Sequence, residues 1–362
     1  MRSRRSKIIL LATLALAAAS LTCSPLYVLR AGVEEARILS RRRPITQVIA
    51  HPATNADTRR KLELVLQARA FAKQALDLDA GESYTTYSWV ESDTLLLVLS
   101  AAYADRFEPY TWWFPIVGRV PYKGFVDFDE AYDAARDLKA EGLDTYVRPS
   151  GAFSTLGWFN DPLLNTVLRY GDLGLVSTVV HELLHNTVFI PGHVAFNESF
   201  ANFVGDRGAI LFFCGRDGDD AESCRLARAT WQDNLLFGEF LTRLVGDLEE
   251  LYARDLARDD KLARRERIFD DARARFHRDV EPRLRTSSFR GFADGQLDNA
   301  TLIGIRLYYD RLHLFDTVLA GFGGDLAAAI GAIANATDDG TDPFQALEQL
   351  ARAGASGTRP PD

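Results

Sequence analysis

Little in this sequence points to nucleic acid, to internal repetition or to cysteine-based scaffolding. Positive charge is in deficit: 42 Lys and Arg stand against 50 Asp and Glu, a net charge of −8. That balance argues against a nucleic-acid binder and favours solubility. There is no fixed-period repeat and no long low-complexity tract, so solenoid and compositionally biased classes drop out. Cysteines number three and histidines six in 362 residues. Cys214 and Cys224, in "FFCGRDGDDAESC", are widely spaced with no histidine nearby, which disfavours a zinc-binding pair. What remains is ordinary for a folded protein, with 47% hydrophobic and 25% charged residues. A chain of this length buries a substantial core, as one large domain or two modest ones.

The N-terminus stands apart. "MRSRRSKIILLATLALAAASLTCSP" has a basic head (Arg2, Arg4, Arg5, Lys7), an apolar run from Ile8 to Ala19, then small residues. This order of parts predicts export to the bacterial cell envelope or periplasm. Cys23 after "SLT" loosely resembles a lipobox and is a candidate for lipid anchoring; an uncleaved membrane helix extended by "SPLYVL" is the alternative, with Pro25 against it. Either way the expected membrane contact is through this segment. Export also implies an oxidising compartment, where Cys214 and Cys224 are expected to close a polar loop as a disulfide; two unlinked thiols are the alternative.

The expected architecture is α+β. Residues 41–79 read as helical, with Leu62, Leu64, Val65, Ala68, Phe71 and Ala72 near a 3.6-residue period. From Tyr84 short aromatic and β-branched runs predict strands, with "TWWFPIVGRVPYKGFV" a bent hairpin punctuated by Pro115, Gly118, Pro121 and Gly124. "DFDEAYDAARDLKAEG" predicts an amphipathic helix stopped by Gly142, and "LDTYVRPSGAFSTLGWF" a strand, a turn and a strand. After Asp161 nearly everything reads as helix, including a charged pair over 225–257 and 260–285. The expected divisions are 1–23 as signal or anchor, 24–176 as a mixed α/β portion, 177–352 as a helical portion and 353–362 as a flexible tail.

The junction carries the chemistry. "STVVHELLHNTVFIPGHVAFNESFANFVG", residues 177–205, holds three of the six histidines. His181 and His185 are four apart, so a helix sets both imidazoles on one face, one turn apart, where they can share a zinc ion. Glu182 follows the first and lies where a carboxylate can take a proton from the attacking water. Val179, Val180, Leu183 and Leu184 flank this polar stripe. A catalytic zinc needs a third protein ligand and an open position. Pro191 occupies the place of the third histidine of a metzincin. Glu198, near the start of a second helix turning back beside the first, is the expected third ligand; His193, in the intervening loop, is the competitor. One zinc per chain is expected. Asn202, one turn after Glu198, is placed to hold a ligand histidine through its second ring nitrogen; helix packing is the alternative.

His-Glu-x-x-His followed by Asn-Glu-x-x-Ala resembles the gluzincin metallopeptidases, and more specifically the bacterial putative aminopeptidase family. The resemblance spans most of the chain: "RRRPI" (41–45), "TWWFPIVGRVPYKGF" (111–125), "STLGWFNDPLL" (154–164), "HELLH", "FNESFANFV" and "NATLIGIRLYYDRLHLF" (299–315). Glu198 follows His185 after twelve residues, fewer than in better-known gluzincins, so the helix connection is tighter. The resemblance implies a zincin-like fold whose sheet edge pairs with substrate as an added strand. Residues 152–159 would be that edge, with Ser154, Thr155, Gly157 and Trp158 as substrate-binding positions; a plain buried strand is the alternative. It also implies an oxyanion donor, for which Tyr308 or Tyr309 on a helix is the candidate and His313 a second. The implied activity is exported, zinc-dependent hydrolysis of peptides. A cell-envelope endopeptidase and a catalytically silent scaffold with structural zinc are the competing readings, and the intact Glu182 argues against the scaffold.

Overall fold

The computed structural model describes residues 37–91, 94, 96–114, 118–150, 162–338 and 340–355. The export segment with Cys23, Pro115, and the expected edge strand with Ser154, Thr155, Gly157 and Trp158 lie outside the described residues.

The helix expected over 41–79 is two helices, α1 (Ile45–Ala50) and α2 (Ala56–Ala75). Pro52 offers no N–H to continue the first, and the Asn55 side chain caps the second by accepting from the Thr58 N–H at 2.8 Å. Leu62, Val65, Ala68 and Ala72 form the buried stripe of α2, as their spacing requires.

Among the described residues the strands make two small sheets and a hairpin. In the first, β1 (Arg43–Pro44) pairs antiparallel with β2 (Thr86–Ser88), which pairs parallel with β8 (Leu163–Leu164). In the second, β3 (Leu96–Tyr103) is central, flanked antiparallel by β6 (Tyr122–Phe125) and β7 (Leu143–Ser150). The hairpin joins β4 (Trp112–Phe114) to β5 (Gly118–Val120). Strand alternation sorts the two faces of the second sheet. Leu97, Leu99 and Ala101 pack with Phe125 onto Ala131, Ala135 and Leu138 of α3 (Phe128–Ala140). Val98 and Ser100 fall on the other face, in register with Arg148 and Tyr146 of β7, and Ser100 also with Tyr122 of β6.

Beyond β8 the chain is helical: α4 (Asp172–Thr187), α5 (Val194–Asp217), α6 (Glu222–Tyr252), α7 (Arg258–Arg275), α8 (Asn299–Arg306), α9 (Leu312–Gly321), α10 (Leu326–Ala336) and α11 (Pro343–Ala355). The last runs through Ala355, beyond the 352 boundary expected from sequence. The architecture is α+β. α4 packs between α2 and α5, so α1 and α2 share one core with the helical portion. At its centre Phe196, Phe200 and Phe203 of α5 surround Phe315 of α9, with Phe200 and Phe315 stacked at 5.5 Å. A second core forms between α6, α7 and α8.

A buried polar knot fastens the sheet to the helices. Arg265 of α7 pairs with Asp144 of β7 at 2.7 Å and donates to the Ala104 carbonyl at 2.9 Å. Asp144 also accepts the Asn299 N–H that begins α8. Among the described residues no single helix is long and apolar enough to cross a membrane. The bent pair α9–α10 qualifies by composition, but its Phe315, Val318, Ala329, Ile330 and Ile333 are buried in the main core.

Candidate metal centre

Helix α4 is apolar on both flanks, with Val179, Val180 and Leu183 inaccessible to solvent, so its polar face is forced into the α4–α5 interface. There His181 and His185 approach with Nε2 atoms 3.2 Å apart. The return to α5 is short because Gly192 adopts φ +84° and Asn197 clamps the turn, donating to the Ile190 carbonyl at 2.8 Å and accepting its N–H at 3.0 Å. Phe196, Phe200 and Phe203 turn one face of α5 to the core. Glu198, on another, is left facing the histidines, 3.4 Å from His181 and 3.8 Å from His185.

These donors suit zinc. All three atoms lie within 4.8 Å of one another. Two ligands at ordinary zinc distances on a tetrahedron are roughly 3.4 Å apart, and the observed separations bracket that figure. Two imidazoles and a carboxylate leave a fourth position, and side-chain exposures of 14%, 19% and 24% leave the cluster reachable by water. Burial pulls the His181 imidazole down, but Glu198, Glu182 and Asp206 more than offset it and raise its pKa. His185 is pushed down to about 4 by burial and then by His181. Burial opposes ionisation of Glu198, yet the histidines and Arg148 hold its pKa below the ordinary value. The cluster therefore favours a carboxylate and at least one neutral imidazole, the forms that bind metal.

Glu182 sits beside His181 on α4, and its charge acts on both His181 and Tyr308. The Tyr308 ring lies 6.4 Å from that of His181. Its phenol is held protonated, with a pKa raised to about 12 by burial and then by Glu198. Arg148 of β7 donates to its oxygen at 3.4 Å.

The tyrosine is not on a helix, contrary to the sequence expectation. α8 ends at Arg306, residues 307–311 form a turn, and α9 begins at Leu312. Ser199 and Asn202 of α5 impose the break. The Ser199 hydroxyl donates to the Leu307 carbonyl at 2.8 Å and accepts the Asp310 N–H at 3.0 Å, while Asn202 donates to the Tyr308 carbonyl at 2.9 Å. Asn202 thus orients the tyrosine turn, where a contact to a ligand histidine was expected. Tyr309 points away, its ring against Phe237 and Phe289. His313 is exposed on α9, and His193 is the residue before α5; neither belongs to a metal-competent cluster among the described residues.

Two residues escaped the sequence reading. Arg148 is brought in by β7, where its alternation with Tyr146 was the available signal. Asp206 lies two turns beyond Glu198 on α5, accepting from Ser177 at 2.7 Å and Asn234 at 2.5 Å with its charge directed at His181. Burial raises its pKa, against those hydrogen bonds and His181. Between them Gly205 lets the helices touch: a Cβ there would stand 2.7 Å from the Ser177 carbonyl oxygen.

Farther along, Cys214 and Cys224 are joined as a disulfide with Cα atoms 4.7 Å apart. It links the last turn of α5 to the first of α6.

The family described as "Putative aminopeptidase" matches residues 26–342. The chain belongs to this family. No curated protein and no solved structure matches the chain. The family span includes His181, Glu182, His185, Glu198 and Tyr308, so the whole cluster lies within the matched region.

Proposed function

We propose that the protein is a zinc-dependent peptidase of gluzincin type with a zincin-like fold, in which His181, His185 and Glu198 hold one zinc ion. The observation carrying this reading is the convergence of those three donors beside an acid, Glu182, and a protonated phenol, Tyr308. Zinc would supply Lewis acidity toward the scissile carbonyl and toward water. Glu182 takes the proton from the attacking water and returns it to the leaving amine. Tyr308 donates its hydroxyl hydrogen bond to the oxyanion, with Arg148 adding positive charge behind it. Asn202 and Ser199 keep the tyrosine turn in place, and Asp206 steadies the electrostatics on the far side of His181. The family description supports peptide as the substrate and aminopeptidase action as the mode. Export rests on the basic head and apolar run of residues 2–19, which also supplies the proposed membrane contact.

The deciding experiment is Glu182→Gln, which keeps size and polarity but removes the proton acceptor. Zinc content and folding are expected to survive, while hydrolysis of a mixed peptide library falls by roughly a hundredfold or more. Equal cleavage by wild type and variant would overturn the mechanism; no cleavage by either would favour the silent-scaffold reading.

A further inference from the structure

We propose that a cleft beside Tyr308 is a substrate subsite for a carboxylate carried on a residue with an apolar or aromatic portion. The inference rests on the peptidase reading for its role in catalysis, though the site itself stands on separate observations. The cleft has a volume of about 410 Å³, within the roughly 300–1,000 Å³ typical of small-ligand sites. Tyr308 and Arg148 line it near the metal cluster, Phe237, Phe289 and Phe292 are among its aromatic residues, and Arg290 lies beyond.

Its charge is one-sided. Among the described lining residues there are two arginines and no acid. Arg148 has its Nε buried without a hydrogen-bond partner among the described residues, and its bond to Tyr308 uses Nη2 at 3.4 Å. A buried guanidinium N–H left in this state is a standing demand for an acceptor. Arg290 donates from Nε to the Thr286 carbonyl at 3.2 Å. The nearby acid Glu281 is outside the lining; it is engaged by His277 at 2.9 Å, accepts from the Gly291 N–H and feels the charge of Arg290. Among the described lining residues a carboxylate meets two cations, while a free amine meets no acid.

The wall is built. Asp233, almost fully buried, accepts from the Arg285 N–H at 2.9 Å and from the Thr286 N–H and hydroxyl at 2.8 and 2.7 Å, pinning the loop at its root. Phe289 is held at φ +58°, unusual for a bulky residue, and stacks on Phe237 with centroids 4.0 Å apart. An arrangement that imposes this conformation presents a preformed aromatic surface next to the arginines. The two available sources of the anion are the α-carboxylate of a peptide's last residue and the side chain of an Asp or Glu.

Calorimetric titration of the zinc-loaded protein with three probes separates them: N-acetyl-L-phenylalanine, its amide, and N-acetyl-L-glutamate with an amidated α-carboxyl. Binding of the first, with its amide about tenfold weaker or worse, is the expected result for the α-carboxylate. Binding of the glutamate derivative assigns the side chain instead. Arg290→Ala, at an exposed position, and Arg148→Met should each weaken the preferred probe by about tenfold. Chelating the metal should leave that affinity nearly unchanged. Equal binding of acid and amide without binding of the glutamate derivative, no binding of any probe, unaltered binding by both arginine variants, or loss of binding on chelation would overturn the subsite. Since no turnover is measured, a protein that binds the carboxylate yet hydrolyses nothing would sink the peptidase reading alone.

Discussion

Asn202 donates a hydrogen bond to the carbonyl oxygen of Tyr308 at 2.9 Å, so the helix that carries Glu198 also holds the turn that presents the phenol. The proposed ligand and the proposed oxyanion donor are thereby placed by one rigid element. Asn202→Ala should leave zinc content unchanged and lower kcat with little change in KM, because the contact it removes aims a donor needed chiefly in the transition state. Tyr308→Phe should lower kcat further, by about a hundredfold. Steady-state kinetics with metal analysis tests both; an Asn202 variant with wild-type kcat would detach the turn from catalysis.

The ligand assignment predicts about one zinc per chain in the mature protein. His181→Ala and Glu198→Ala should empty the site, whereas His193→Ala should retain it. Because the metal-free cluster raises the pKa of His181, zinc must displace a proton from part of the population near neutrality. Apparent affinity should then fall as pH drops, with net proton release seen by calorimetry in two buffers of different ionisation enthalpy. An affinity independent of pH between about 6 and 8 would contradict histidine ligation.

Gly205→Ala tests the close approach of the helices. The added Cβ would meet backbone at 2.7 Å, which cannot rotate aside, so α4 and α5 must separate. A loss of about 1–3 kcal/mol in unfolding free energy is expected, together with weaker zinc binding as Glu198 is drawn from the histidines. Wild-type stability in the alanine variant would show that the interface yields without cost.

The disulfide predicts a single crosslinked peptide in non-reducing maps of protein made under oxidising conditions. Cys214→Ser with Cys224→Ser should destabilise the protein by about 2–4 kcal/mol and leave zinc content intact, since the bridge lies at the far end of α5. Two freely alkylated thiols in native protein would rule the bridge out.

Much of this molecule was legible locally. The four-residue spacing of His181 and His185 puts them on one helix face, and flanking Val and Leu residues make that face interfacial; both statements follow from helical geometry alone. Glu198 was legible for the same reason, because Phe196, Phe200 and Phe203 claim the opposite side of α5. The caps at Asn55 and Asp127 also depend on residues a few positions apart, but the sequence reading takes 41–79 as one helical stretch and so misses the start of a second helix at Asn55.

The break at residues 307–311 was not legible. "NATLIGIRLYYDRLHLF" has helical periodicity, yet Ser199 and Asn202, 108 and 106 positions from the carbonyls they bind, take up groups of that turn. Arg148 and Asp206 reach the cluster for a similar reason, one through strand register and the other through a glycine contact between helices. Sequence by itself determined which residue types stand on which face of each element, since that is set by backbone periods of two and 3.6. Only the tertiary structure decided which faces meet, because side-chain hydrogen bonds and close packing between distant segments carry no local period.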